Sequence, residues 1–124
     1  MEVMISVIDG MHAHAAEGVK VNITYQPTEE PSLQACGLTD SSGNFTFSTG
    51  KIGFFGGQTL TVELAFDSYF TSLGIEASYK QIALLIRIPD IERKHLIRTV
   101  ITPSAHVTYH TRVQRDDQSL LASA

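Results

Sequence analysis

The sequence predicts an all-β sandwich of eight strands with one short helix, and three observations carry that prediction. Apolar residues recur at every second position, as in Val19, Val21, Ile23, Tyr25 and again in Leu60, Val62, Leu64, Phe66, which lines one face of a half-buried strand. Clusters of Gly, Pro, Asp and Ser interrupt these runs at short intervals, the punctuation of a sandwich rather than of alternating strands and helices. A chain of 124 residues, 43% hydrophobic and 18% charged, is long enough to bury one core and has the composition of an ordinary globular domain.

Taken in order, strands are expected at Met4–Asp9, Val19–Tyr25, Leu33–Leu38, Phe45–Phe47, Leu60–Phe66, Gln81–Ile88, Leu96–Thr102 and Ala105–Arg112. The reversals between them fall at Gly18, Pro27 to Pro31, Asp40-Ser41-Ser42-Gly43, Gly53 to Gly57, Pro89-Asp90 and Pro103-Ser104, where glycine supplies positive φ and proline a fixed one. Only Asp67–Leu73 breaks the alternation: an Asp suited to cap a helix precedes Phe70 and Leu73, three apart, so one short helix is expected there. The domain is read as residues 1–112. Residues 113–124 are polar, then weakly apolar, with charges at Arg115, Asp116 and Asp117, and are read as a mobile tail.

A formal net charge of −4 without a cluster of Lys and Arg argues against a nucleic-acid partner. No apolar run approaches the ~18 residues of a membrane span. The start Met1-Glu2-Val3 carries no basic segment followed by an apolar one, so a cytoplasmic location is expected, and the triplets Asn22-Ile23-Thr24 and Asn44-Phe45-Thr46 are expected to stay unglycosylated. Cys36, the single cysteine, follows no nucleophile signature and reads as a small core residue.

Several ordered segments resemble the family of transthyretin and the hydroxyisourate hydrolases. Ser68-Tyr69-Phe70 resembles the family's short Tyr-Phe helix, and Thr99-Val100-Ile101-Thr102-Pro103 its Leu-Leu-Leu-Ser-Pro turn. Val7-Ile8-Asp9 resembles a first-strand Val-Leu-Asp. Ala16 and Gly18-Val19 resemble the entry to the second strand, and Thr39-Asp40-Ser41-Ser42-Gly43-Asn44 resembles a Thr-Asn-x-Asp-Gly-Arg turn. The resemblance covers about residues 4 to 112 and implies an eight-stranded Greek-key sandwich. It also implies a homotetramer, a dimer of dimers joined at the edges formed by Gln81–Ile88 and Ala105–Arg112, with a central channel between subunits.

The family's hydrolytic site uses a His in the first strand, the Arg of the Gly-Arg turn, a His in the penultimate strand and a terminal Tyr-Arg-Gly-Ser. By the resemblance these positions are Ser6, Asn44, Leu96 and Tyr109-His110-Thr111-Arg112 here. Ser and Leu cannot titrate near neutral pH to activate water, so weak or absent hydroxyisourate hydrolysis is expected. The candidates for chemistry are His110, Tyr109 and Ser6; those for holding a ligand are Arg112, Arg98, Asn44, Leu96 and Thr111. Period two places His106 and His110 opposite Val107, Tyr109 and Thr111, and puts the two histidines roughly 13 Å apart, too far to share an ion. His12-Ala13-His14 has metal-ligand spacing but no third donor visible in the sequence, so neither metal nor other cofactor is expected. Two readings stay open: a hydrolase-like protein, repurposed to open, close or isomerise a small polar heterocycle, and a non-catalytic small-molecule carrier or assembly protein.

Overall fold

A computed structural model describes residues 2–26, 31–48, 58–88 and 94–113. The elements run β1 (Glu2–Asp9), β2 (His14–Ala15), β3 (Lys20–Gln26), β4 (Leu33–Leu38), β5 (Asn44–Ser48), β6 (Gln58–Ala65), α1 (Asp67–Ser72), β7 (Gln81–Ile88), β8 (Lys94–Thr102) and β9 (Ala105–Val113). The eight expected strands are all present. A two-residue strand, β2, pairs with the end of β1, too short to register as a periodic pattern.

In the first sheet β1 lies between β8, to which it is parallel, and β5, to which it is antiparallel; β9 follows β8 at the far edge. The second sheet has the order β4-β3-β6-β7, all antiparallel. Period two sends Val3, Ile5 and Val7 of β1 and Ile97 and Ile101 of β8 inward against Val21, Ile23 and Tyr25 of β3 and Leu60, Val62 and Leu64 of β6. Each such side chain contributes about 1.5–3 kcal/mol on leaving water. β7 and β9 each close one end of their sheet, so the two strands that the resemblance places at an inter-subunit edge are edge strands.

The turn between β4 and β5 shows why its sequence is what it is. Asp40 Oδ1 accepts the N–H groups of Ser42 and Asn44, each at 2.9 Å, an Asx arrangement that replaces ladder bonds at the reversal. Gly43 has φ +78°, and a Cβ built on it would lie 2.4 Å from the Val7 carbonyl oxygen. Nearby, the buried Thr39 hydroxyl donates to the Ala16 carbonyl at 2.6 Å and accepts the Val19 N–H at 2.9 Å.

Three expectations are corrected. Asp67 is the first helical residue rather than the cap: Phe66 holds the N-cap position without a side-chain cap bond, and Asp67 Oδ1 accepts the adjacent Ser68 N–H. The helix is held instead by burial of Tyr69 and Phe70, whose rings meet edge to face at 5.1 Å. Cys36 is exposed, because Ala35 and Gly37 pair with the buried Ile23 and Val21 and turn the intervening residue outward. The last strand includes Val113, one residue beyond its expected end at Arg112. The expected tail, 114–124, and the reversals at 27–30, 53–57 and 89–90 lie outside the described residues.

Candidate functional site

The outer face of the first sheet gathers most of the sequence candidates. Register pairs Asn44 with Ser6, Ser6 with Arg98 and Arg98 with Tyr109, a single row across β5, β1, β8 and β9. With strands ~4.8 Å apart, the row is about 14 Å long, enough to flank a small ring. The next row is Thr46, Met4, Leu96, Thr111, and the row on the other side is Ile8, Val100, Val107. A polar stripe therefore crosses this face, with Met4 and Leu96 between threonines on one side of it and Ile8, Val100 and Val107 on the other. Arg98 is exposed and Tyr109 is 59% exposed, while Asn44 is half-buried and Ser6 is 8% exposed. The guanidinium offers planar donors, the amide and hydroxyls offer both donors and acceptors, and the phenol offers an aromatic face.

His110 does not share this face. It pairs with the buried Ile97, so its ring lies on the core side of the sheet, against His95. The two rings are near parallel at 5.2 Å, with His95 Nδ1 and His110 Nε2 3.0 Å apart; one nitrogen supplies the proton and the other the lone pair. His106 also has inward parity, and it meets Tyr79 edge-on at 6.3 Å. Among the described residues of β5, β1, β8 and β9, no histidine has outward parity. Arg112 pairs with His95 in register; its side chain lies outside the described ones. The partnership of His95 with His110 is absent from the sequence candidates; counting back from the turn at Pro103-Ser104 pairs His95 with Arg112 and places His110 on the same face, two residues away in register.

A second constellation closes the end of β1. The Asp9 carboxylate, fully buried, accepts four hydrogen bonds: from the Tyr69 hydroxyl and the His12 ring at 2.7 Å each, and from the Met11 and His12 N–H groups at 2.9 Å each. Burial alone would push its pKa up, but the bonds from Tyr69, from the His12 ring and from the two N–H groups outweigh burial and hold it below the ordinary value of 3.8. Burial, together with the bond to Asp9 and its charge, pushes the Tyr69 hydroxyl well above its ordinary value of 10.0.

These shifts set two limbs of the stability profile. The Asp9 contribution is complete above pH 3.8, the ordinary value, and is lost as pH falls below it toward the lowered native value. The Tyr69 contribution is complete below pH 10.0 and is lost above it, where the unfolded tyrosine ionises and the folded one does not. Urea denaturation across pH is expected to show both limbs, and Tyr69→Phe is expected to remove the alkaline one. An alkaline limb of the same slope in that variant would assign it to other groups.

Two sheets in this strand order, with one short helix after β6, define a transthyretin-like sandwich. The solved structure of transthyretin from Sparus aurata superposes with a TM-score of 0.72 at 17% identity, covering 90% of this chain and 97% of the other. Klebsiella pneumoniae 5-hydroxyisourate hydrolase does so with a TM-score of 0.71 at 22% identity, covering 89% and 97%. At these identities the likeness is one of fold. No family model and no curated protein matches the sequence. Among the described residues no helix is long and apolar enough to cross a membrane.

Proposed function

We propose that the protein binds a small, planar, polar heterocyclic compound on the outer face of its first sheet, in a channel formed between subunits of a homotetramer. The observation that carries this reading is the cross-strand row of Asn44, Ser6, Arg98 and Tyr109, flanked by Met4 and Leu96 on one side and by Ile8, Val100 and Val107 on the other. Arg98 is the fixed cation for carbonyl or oxyanion groups of the ring, Tyr109 its aromatic platform, and Leu96 with Thr111 the adjoining wall. Catalysis of the hydroxyisourate hydrolase kind needs a base beside the ligand. The described side chains of that face offer none near neutral pH, and His110 lies behind the sheet. The role is accordingly that of a binder rather than of a hydrolase.

Edge strands β7 and β9 leave unpaired backbone groups that a second copy can satisfy. Two such pairs, packed through Ile101 to Ala105 and the loop after β1, would enclose the outer faces. Uric acid is a stable ring of the required kind. Titrated into labelled protein, it is expected to shift the amide signals of Ser6, Leu96, Arg98 and Tyr109 and to leave those of β4 in place. Arg98→Ala is expected to weaken binding by about ten- to hundredfold, the value of a hydrogen bond to a charged group. Light scattering should give four chains. Shifts confined to other elements, a stable monomer, or rapid turnover of fresh hydroxyisourate would each overturn the reading.

A further inference from the structure

His12 lies in the turn after β1 and His14 opens the short strand β2, and the ligand reading gives neither histidine a contact with the ligand. We propose that His12 and His14 bind one divalent transition-metal ion of the imidazole-preferring kind, Zn2+ foremost, through their Nε2 atoms, with Asp9 holding the His12 ring from behind.

The hydrogen bonds decide which atoms are offered. His12 Nδ1 lies 2.7 Å from Asp9 Oδ2, and His14 Nδ1 lies 2.7 Å from the Ala15 carbonyl oxygen. A carboxylate and a carbonyl can only accept, so in both neutral rings the proton sits on Nδ1 and the lone pair on Nε2. That is how metal-ligating histidines are fixed: the second nitrogen donates to a carboxylate or a backbone carbonyl, which sets the tautomer and orients the ring. No described residue bonds either Nε2.

Geometry brings the pair within range. The rings are 5.7 Å apart between centroids and inclined by 18°. Two imidazoles on one tetrahedral zinc ion, with Zn–N about 2.1 Å, have centroids roughly 5 Å apart, close to the separation of these two rings. Donor atoms of Asp9, His12 and His14 lie within 4.8 Å of one another. The four donors already on the Asp9 carboxylate match its lone-pair capacity, which makes it the outer partner of His12 rather than a ligand. Between the histidines, Ala13 has φ +61°, a left-handed conformation that costs about 1–2 kcal/mol in a residue with a Cβ. The Ala13 N–H bond to the Asp9 carbonyl at 2.8 Å holds the turn in place.

The sequence expectation of no metal rested on the absence of a third donor; the fold adds Asp9, which orients the His12 ring rather than ligating, so the site proposed here needs only the two histidines. Two protein nitrogens leave the remaining positions of the ion to water or a small anion, an open and reversible site rather than a closed structural one. Imidazole donors select Zn2+, Cu2+ or Ni2+ over Mg2+ or Ca2+.

Untagged protein would be titrated with Zn2+ against a chromophoric chelator, and with Cu2+ under electron paramagnetic resonance. Saturation at one ion per chain is expected, with nitrogen hyperfine splitting from two imidazoles. Losing an outer partner of a metal-bound histidine weakens affinity about 10–100-fold, so His12→Ala and His14→Ala, which each remove a ligand, are each expected to weaken Zn2+ binding at least tenfold and to leave a single coupled nitrogen. His106→Ala should change nothing. Unsaturable binding, an unchanged affinity in both single variants, or loss of the site in His106→Ala would overturn the proposal. Ligand binding at Arg98 is read separately, so either result leaves the other standing.

Discussion

Asp9→Ala is expected to destabilise the fold by about 4 kcal/mol, at the scale of breaking a buried charged network, and to lower the thermal midpoint by roughly 15 °C for a chain of this size. The carboxylate joins three parts of the chain: the end of β1, the Met11–His12 turn and the helix α1 through Tyr69. Truncation leaves the buried Tyr69 hydroxyl without its acceptor, and each unsatisfied buried donor costs ~1–3 kcal/mol. Asp9→Asn keeps the shape but turns one acceptor atom into a donor facing other donors, so it should fall between wild type and Asp9→Ala. His12→Ala removes a partner that is 38% exposed and should cost under ~1 kcal/mol. Calorimetry on the three variants checks the ranking. An Asp9→Ala midpoint within a few degrees of His12→Ala would show that burial, and not the hydrogen bonds, holds this corner.

Gly43→Ala should cost about 3 kcal/mol. Part is conformational, since φ +78° is left-handed and a Cβ there costs about 1–2 kcal/mol. The rest is steric: the new Cβ would stand 2.4 Å from the Val7 carbonyl oxygen, backbone that cannot move without breaking the Ala16 N–H bond to that same oxygen at 3.0 Å. Overpacking of that sort costs about 1–3 kcal/mol. Gly18 separates the two contributions, because it has φ +85° with nothing within 4 Å of a built Cβ. Gly18→Ala therefore carries the conformational cost alone. Denaturant titration should place Gly43→Ala well below Gly18→Ala, and equal losses would remove the steric argument. Since Gly43 precedes Asn44, the same substitution should also disturb the end of the polar row.

The period-two runs made the architecture readable. β4 and β7 begin and end at the residues the alternation marks, Leu33–Leu38 and Gln81–Ile88. The motifs that carry the family resemblance turn out to be fasteners: Asp9, Thr39, Asp40, Gly43 and Tyr69 all make buried or turn-closing contacts. Those contacts are demanded by the fold, which is why they are recognisable at low identity. What stayed hidden depends on pairing between distant segments. Cys36 was misplaced because Ala35 and Gly37, small and weakly hydrophobic, do not announce which way their strand faces; its partner β3 decides. His95 was missed because its neighbour, fifteen residues on, is a matter of hairpin register. Asp9 escaped notice as the companion of His12 because the contact needs a side chain folded back over its own turn.

The two-residue reversal at Pro103-Ser104 fixes which side chains of β9 accompany which of β8, beginning with Thr102 opposite Ala105. Because parity alternates, a slip of one residue at that point would exchange the two populations wholesale. Tyr109 and Thr111 would go under the sheet, and His106 and His110 would come out beside Arg98. Loop length is thus a hereditary lever on this surface, and it acts without altering any side chain. One inserted or deleted codon in the hairpin would turn a face of neutral hydroxyls and a cation into one carrying two imidazoles, so a descendant could gain a proton-transfer group in one mutational step.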